Sequence, residues 1–183
     1  VDDPAISSTL AMVFCNTPRW TMLKQWLTWS TNMSMNKLSS TGKTAVILMA
    51  HGAPTCVDDI PLYLKNIRGG TESSPEVIQV IRDRYEAIGG SSPLLEITQG
   101  QAQELEKFLN QGEVNFKVYV GMRNWSPYIR DVVNQIMEDG VERVLALCLA
   151  PQYSTWSTKL YFKALNDALD RYSKKNLPVQ LIR

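Results

Sequence analysis

The sequence predicts an α/β domain with a flavodoxin-like, four-stranded parallel sheet that helices cover on both faces. Two observations lead to this prediction. Short apolar segments alternate along the chain with longer stretches whose apolar residues recur at helical spacing. Strands that are apolar along their whole length are typical of parallel sheets, because helices bury both faces of such sheets. Strands that alternate with helices need crossover connections, which leave few other topologies.

The predicted strands are short apolar segments, each followed by polar residues or by the chain end. They cover residues 45–50, 116–121, 143–151 and 178–182.

The predicted helices have recognisable start and stop signals. They cover residues 58–67, 74–88, 92–112, 126–140 and 157–175. Three of them open with a Ser-Pro pair, which places proline where a helix tolerates it best. Gly89-Gly90 and Gly140 follow helical stretches and predict their ends. The third helix carries its apolar residues at Leu94, Ile97, Leu105 and Phe108.

Composition excludes several classes of protein. The 183 residues include 19 basic and 18 acidic side chains, which is not the basic surplus of a nucleic-acid-binding protein. No apolar segment reaches the roughly 18 residues that a bilayer span requires. The 3 cysteines form no Cys-x-x-Cys pair, so a reducing, cytoplasmic compartment is expected. A single histidine excludes a metal cage rich in imidazole.

Residues 1–43 differ in composition from residues 44–183, which predicts a leader followed by one α/β lobe. The leader contains three of the five tryptophans, and Trp20, Leu23 and Leu27 lie at helical spacing. Three interpretations stay open for this leader: a segment that docks on the domain, a peripheral membrane contact, and a non-native extension.

Ligands of such folds bind beyond the carboxyl ends of the strands. The loops expected there are residues 51–54, 122–125 and 151–154, and we expect all three to share one cleft.

These loops lie in four ordered motifs. The motifs are VILMAHGAPTCVDDIPLYLKNIRGG, RYEAIGGSSPLLEITQGQAQELE, YVGMRNWSPYI and LCLAPQYSTWS. Together they resemble the amino-terminal half of ferrochelatase over about residues 44–183, and are most similar to the bacterial type that also acts on coproporphyrin. The resemblance implies insertion of ferrous iron into protoporphyrin IX or coproporphyrin III during haem synthesis, with iron as substrate and no permanently bound cofactor.

Ferrochelatases have two similar α/β lobes with the porphyrin between them, and their principal metal-handling histidine and glutamate belong to the second lobe. This sequence ends at Arg183, about where the second lobe is expected to begin. Two alternatives therefore stay open beside the ferrochelatase lobe. One is a half-size chelatase that works as a homodimer, and the other is a non-catalytic or truncated tetrapyrrole-binding lobe.

The resemblance assigns the catalytic and metal-binding role to His51, where related bacterial enzymes carry a His or Tyr that faces the porphyrin. A neutral imidazole can ligate iron or transfer a proton. The alternative is a buried histidine bonded to a loop carbonyl.

The resemblance also implies that Arg68 binds a propionate group of the porphyrin, although a cation at a helix C-terminus is favoured in any case. Ser92 is expected either to bind a carboxylate or only to cap its helix.

Arg123 and Asn124 occupy a position where the family often has a basic residue followed by histidine, and Gln152 replaces a histidine of the family's APHYS-like motif. Amides can hydrogen-bond there but bind ferrous iron poorly. The aromatic residues Tyr63, Trp125 and Tyr153 are expected to line the porphyrin slot or to form plain core.

Overall fold

The protein is described by a computed structural model that covers residues 42–112, 114–150, 158–172 and 177–182. All of these residues belong to one compact unit, Thr41–Arg183. Apart from Gly42 and Lys43, the predicted leader lies outside the described residues, so the three interpretations of it stay predictions.

The predicted parallel α/β fold is confirmed. Within the described residues the strands are β1 (Thr44–Ala50), β2 (Phe116–Met122), β3 (Arg143–Cys148) and β4 (Val179–Ile182), and the helices are α1 (Ile60–Ile67), α2 (Pro75–Glu86), α3 (Leu94–Leu109), α4 (Ile129–Glu138) and α5 (Thr158–Leu169). The strands pair in the order β2-β1-β3-β4, and every pairing is parallel.

Strand β1 lies in the interior of the sheet and is buried along its whole length. Its alternate residues Ala45, Ile47 and Met49 belong to a core cluster that includes residues of α4 and α5. Val46 and Leu48 point to the opposite face, because side chains alternate along a strand, and they are equally inaccessible. Helix α3 packs against β1 and β2. Burial on both faces explains why β1 is a continuous apolar segment.

The predicted start of the fourth helix is wrong. Helix α4 begins at Ile129, and the Ser126-Pro127 peptide bond before it is cis. The backbone N–H of Met122 donates a hydrogen bond to the carbonyl of Pro127 over 2.7 Å. The Ser-Pro pair therefore belongs to the loop that follows β2 and does not open the helix.

Two other expectations differ from the structure. Strand β3 ends at Cys148, whereas the apolar pattern extended the strand to residue 151. In α3, Leu105 is buried, but Ile97 and Phe108 are 46% and 37% exposed. Apolar spacing therefore marked a face of this helix that the sheet covers only in part.

The carboxylate of Asp139, the residue that follows α4, ties that helix to β2. Its Oδ2 accepts hydrogen bonds from the hydroxyl of Tyr119 over 2.5 Å and from Lys117 Nζ over 2.6 Å. These two bonds hold the pKa of Asp139 below its usual range. Burial, followed by the bond to Asp139, raises the pKa of Tyr119 far above its usual range.

We expect Tyr119→Phe to destabilise the fold by about 1 kcal/mol, the usual contribution of one hydrogen bond, and to lower Tm by about 2–4 °C for a chain of this size. Because the folded pKa of Asp139 is lowered, its ionised form adds stability above the unfolded carboxyl pKa. This contribution is lost as the pH falls through the folded pKa. The Tm difference should therefore shrink in acid, as followed by circular dichroism.

Tyr172→Phe is the matched control, since Tyr172 donates a hydrogen bond to the neutral amide of Asn134 over 2.6 Å. Its effect on Tm should not depend on carboxylate ionisation. A Tyr119→Phe deficit that stays the same from neutral to acidic pH would contradict the role of Asp139.

Candidate functional site

The loops that follow β1 and β2 are joined by backbone hydrogen bonds. The N–H of Arg123 donates to the carbonyl of Ala50, and the N–H of Asn124 donates to the carbonyl of His51, each over 3.0 Å. Both loops leave the carboxyl ends of adjacent parallel strands. Two of the three loops predicted to share a cleft therefore meet. The third, with Gln152 and Tyr153, lies outside the described residues.

Gly52 permits this close approach of the two loops. Its φ angle is +85°, a conformation that favours glycine. A Cβ atom at this position would lie 2.8 Å from the backbone nitrogen of Trp125 and 3.1 Å from Cβ of Met122. Any other residue would separate the loops or distort one of them.

Asn124 is 5% exposed and is hydrogen-bonded to His51. Its side-chain Nδ2 donates to the carbonyl of His51 over 3.1 Å and lies 3.2 Å from both ring nitrogens. Its Oδ1 accepts a hydrogen bond from Nε of Arg123 over 3.2 Å. Since Nδ2 is a donor, a ring nitrogen that pairs with it must carry a lone pair. The arrangement therefore suits a neutral imidazole.

His51 is exposed, and its ring nitrogens lie within hydrogen-bond distance of an amide nitrogen. The alternative of a buried histidine bonded to a loop carbonyl does not describe it. Burial of part of the ring, followed by the positive charge of Arg123, lowers the pKa of His51 below the usual value of about 6.5. Near neutral pH the imidazole is therefore uncharged, with a lone pair on one ring nitrogen.

Aromatic side chains lie behind the imidazole. The ring of Tyr63 is 6.4 Å from that of His51 and 6.2 Å from that of Trp125, both pairs in edge-to-face geometry. Tyr63 and Trp125 are 9% and 8% exposed, so they also serve as core. Both interpretations of these residues, slot wall and core, are compatible with this position.

Arg123 is half-buried between the imidazole and α5. Its guanidinium carbon lies 5.5 Å from the ring centroid of Tyr161, within the range of a cation–π interaction. Burial raises the pKa of Tyr161 to about 12, so this phenol stays neutral. The stacking and the bond to Asn124 together fix the orientation of the guanidinium.

Arg68 and Ser92 are not part of this group of side chains. Arg68 follows α1 and is exposed, while Ser92 Oγ accepts a hydrogen bond from the N–H of Leu94 over 3.2 Å at the start of α3. Within the described ranges neither shares a hydrogen bond or ion pair with His51, Arg123 or Asn124. The N-cap of α3 is Pro93, which makes no side-chain cap bond, so Ser92 binds the N–H of Leu94 from one position before the cap. Its hydroxyl proton is still able to donate.

Asn66 is a site residue that the sequence analysis missed. Its Nδ2 donates to the carbonyl of Asn124 over 3.3 Å and to the hydroxyl of Tyr128 over 3.1 Å. It follows the buried Tyr63 by three residues, and residues at this spacing lie on the same helix face. That spacing is the signal that would have found it.

In the part of the chain that the structure describes, no helix has the length and apolarity to cross a bilayer. The same residues contain no cluster of three or more His, Cys, Asp or Glu side chains arranged to hold a metal ion.

We expect an NMR titration of His51 to give a pKa below 6.5, because burial and the positive charge of Arg123 both lower it. His51 is the only histidine, so its ring signals need no assignment. Arg123→Gln should raise the pKa, because it removes a positive charge that opposes protonation. The control is Arg130→Gln, whose guanidinium stacks on Tyr128 instead. An unchanged pKa in Arg123→Gln would refute this electrostatic effect.

Comparisons with known proteins identify the family of the chain. Residues 43–183 match the family model described as Ferrochelatase. The chain is 42% identical over 132 residues to the coproporphyrin III ferrochelatase of Oceanobacillus iheyensis, a match that covers 71% of this chain and 42% of the relative. It is 44% identical over 133 residues to that of Listeria monocytogenes, covering 72% and 43%.

The chain is also 46% identical over 123 residues to the ferrochelatase of Acidobacterium capsulatum, covering 67% of this chain and 36% of the relative. It thus spans about two-fifths of the length of the curated relatives that it matches. With a family match over most of its length, the chain belongs to the ferrochelatase family.

Proposed function

We propose that this chain forms one lobe of an enzyme that inserts ferrous iron into a carboxylated porphyrin, either coproporphyrin III or protoporphyrin IX. The names of several relatives favour coproporphyrin III. The observation that carries the proposal is the exposed imidazole of His51 at the carboxyl end of β1, held beside Asn124 with a ring nitrogen able to accept.

Insertion replaces two pyrrole protons of the porphyrin by one Fe²⁺ ion. A group with a lone pair must therefore stand near the macrocycle, either to ligate the arriving iron or to accept a proton. Neutral imidazole does both. Since the ring of His51 is exposed, a proton that it accepts can pass on to water. Iron enters this scheme as a substrate, and the proposal includes no permanently bound cofactor.

The proposed porphyrin contacts are the side chains around His51, together with Arg68, Ser92, Gln152 and Tyr153. Tyr63 and Trp125 offer aromatic surface beside His51. Arg123 uses Nε to bind Asn124, which leaves its terminal nitrogens for a carboxylate. Arg68 and Ser92 are proposed to bind further carboxylates, the former because it is exposed at the end of α1. Gln152 and Tyr153 are assigned to this site only by their position after β3.

The proposal also includes a partner surface that closes the porphyrin site, supplied by a second lobe or a second copy. The compartment proposed is the cytoplasm, which the cysteine pattern supports, with peripheral membrane contact through the leader as the alternative.

We expect coproporphyrin III to quench the tryptophan fluorescence of the 183-residue chain and to raise its Tm. His51→Ala should slow insertion of Fe²⁺ by about 100-fold or more, a typical contribution of a general base, and should change the Kd for porphyrin by less than about threefold. His51→Gln is the control, because it restores a hydrogen-bonding group but accepts no proton near neutral pH.

His51→Ala and His51→Gln should therefore slow iron insertion to a similar extent. If coproporphyrin III neither quenches the fluorescence nor stabilises the chain, the proposed function is wrong. Full activity in His51→Gln would exclude the imidazole from proton transfer and iron ligation.

We expect Arg68→Gln to weaken coproporphyrin III binding by about fivefold, since an exposed ion pair contributes up to about 1 kcal/mol. The tetramethyl ester of the same porphyrin, which carries no carboxylate, should bind both proteins equally. Arg171→Gln is the matched control, because Arg171 is exposed in a short helical turn after α5. Equal weakening of acid and ester by Arg68→Gln would show that Arg68 does not bind a carboxylate.

A further inference from the structure

Asn66 connects three parts of the fold through one amide nitrogen. It lies in the last turn of α1 and is partly buried. Its Nδ2 donates to the backbone carbonyl of Asn124, in the loop after β2, and to the hydroxyl of Tyr128, which precedes α4. The residue therefore fixes the loop after β2 relative to α1.

The next contact leads from that loop to the imidazole. Asn124 donates from both its backbone N–H and its Nδ2 to the carbonyl of His51, and its Nδ2 also lies against the ring. The backbone of Asn124 thus holds the backbone of His51, and its side chain contacts the ring. Asn66 bonds to the carbonyl of Asn124 and, among the described residues, forms no hydrogen bond with His51.

We propose that Asn66 is a positioning residue that fixes the His51 imidazole through Asn124. The catalytic consequence rests on the function proposed above, whereas the claim about ring position stands without it. Arg68 follows Asn66 by two residues on the same helix. The same helix end therefore carries the proposed carboxylate contact and the residue that places the imidazole, which sets their relative position.

Two variants separate the two hydrogen bonds of Asn66. In Asn66→Asp the side chain keeps its shape and can accept a bond from Tyr128, but it has no N–H to donate to the carbonyl of Asn124. Tyr128→Phe removes only the bond to the phenol. Asn134→Ala is the matched control, because it deletes a tyrosine–asparagine bond of 2.6 Å between α4 and Tyr172.

The first measurement is the NMR signal of the ring C–H groups of His51 in the full 183-residue chain, recorded at a pH where the imidazole is neutral. These signals report the position of the ring relative to Tyr63, whose centroid is 6.4 Å away. In Asn66→Asp they should shift by more than the difference between wild type and Asn134→Ala. In Tyr128→Phe they should stay within that difference.

Asn66→Ala separates geometry from charge, because it also lacks the donor but adds no carboxylate. It should shift the same signals, and it replaces Asn66→Asp if that variant does not fold. A purely structural residue would lower Tm and leave the ring signals of the folded protein unchanged. Unshifted signals in folded Asn66→Ala would overturn the proposal.

The second measurement is the rate of iron insertion. A small displacement of a catalytic group slows chemistry more than it weakens binding, so we expect kcat in Asn66→Ala to fall about tenfold. The KM for porphyrin should change by less than about twofold, as expected for a group that acts beyond binding. A wild-type chain that neither binds porphyrin nor inserts iron would refute the proposed function, while the NMR result would still decide the role of Asn66.

Discussion

The carbonyl oxygen of His51 is the acceptor on which the site depends. It receives two hydrogen bonds from Asn124, one from the backbone over 3.0 Å and one from the side chain over 3.1 Å. Two donors from one residue fix both the distance and the orientation between the loops after β1 and β2. This contact forms only because Gly52 lacks a Cβ atom, which would lie 2.8 Å from the next loop. The glycine permits the approach, and the asparagine holds it.

The same asparagine determines which form of the imidazole the site favours. Its Oδ1 accepts a bond from Arg123, so its Nδ2 is directed to His51 as a donor. A donor beside the ring, partial burial and a neighbouring positive charge all disfavour the imidazolium ion. An imidazolium would also repel Fe²⁺ and could accept no proton. Three independent features therefore favour the one protonation form that the proposed chemistry uses.

How much of the fold and of the candidate site could be predicted depends on whether the interactions that form them are local in the sequence. The sheet was predictable because burial on both faces leaves β1 apolar at every position, and the common edge for His51 and Arg123 follows from parallel pairing alone. Ser126-Pro127 was mistaken for a helix start because the bond from Met122 to Pro127 that keeps it in the loop has no sequence signal. Asn66 shares a helix face with Tyr63, and this spacing could have marked it as facing inward. Its bond to Asn124, 58 positions away, has no signal in the sequence.

An amide at position 124, where the resemblance to the family implies a histidine, has a physical explanation under the proposed function. A second imidazole beside His51 and Arg123 would compete for the same proton, and charging either ring would place a second positive group beside the guanidinium of Arg123. An amide provides the donor that holds His51 and changes charge at no physiological pH. Proton transfer in this part of the site then falls to a single ring. An amide at this position therefore leaves the proposed proton chemistry to His51, provided that Asn124 stays in place. Its burial, the bond from Arg123 to its side chain and the bond from Asn66 to its backbone carbonyl keep it there.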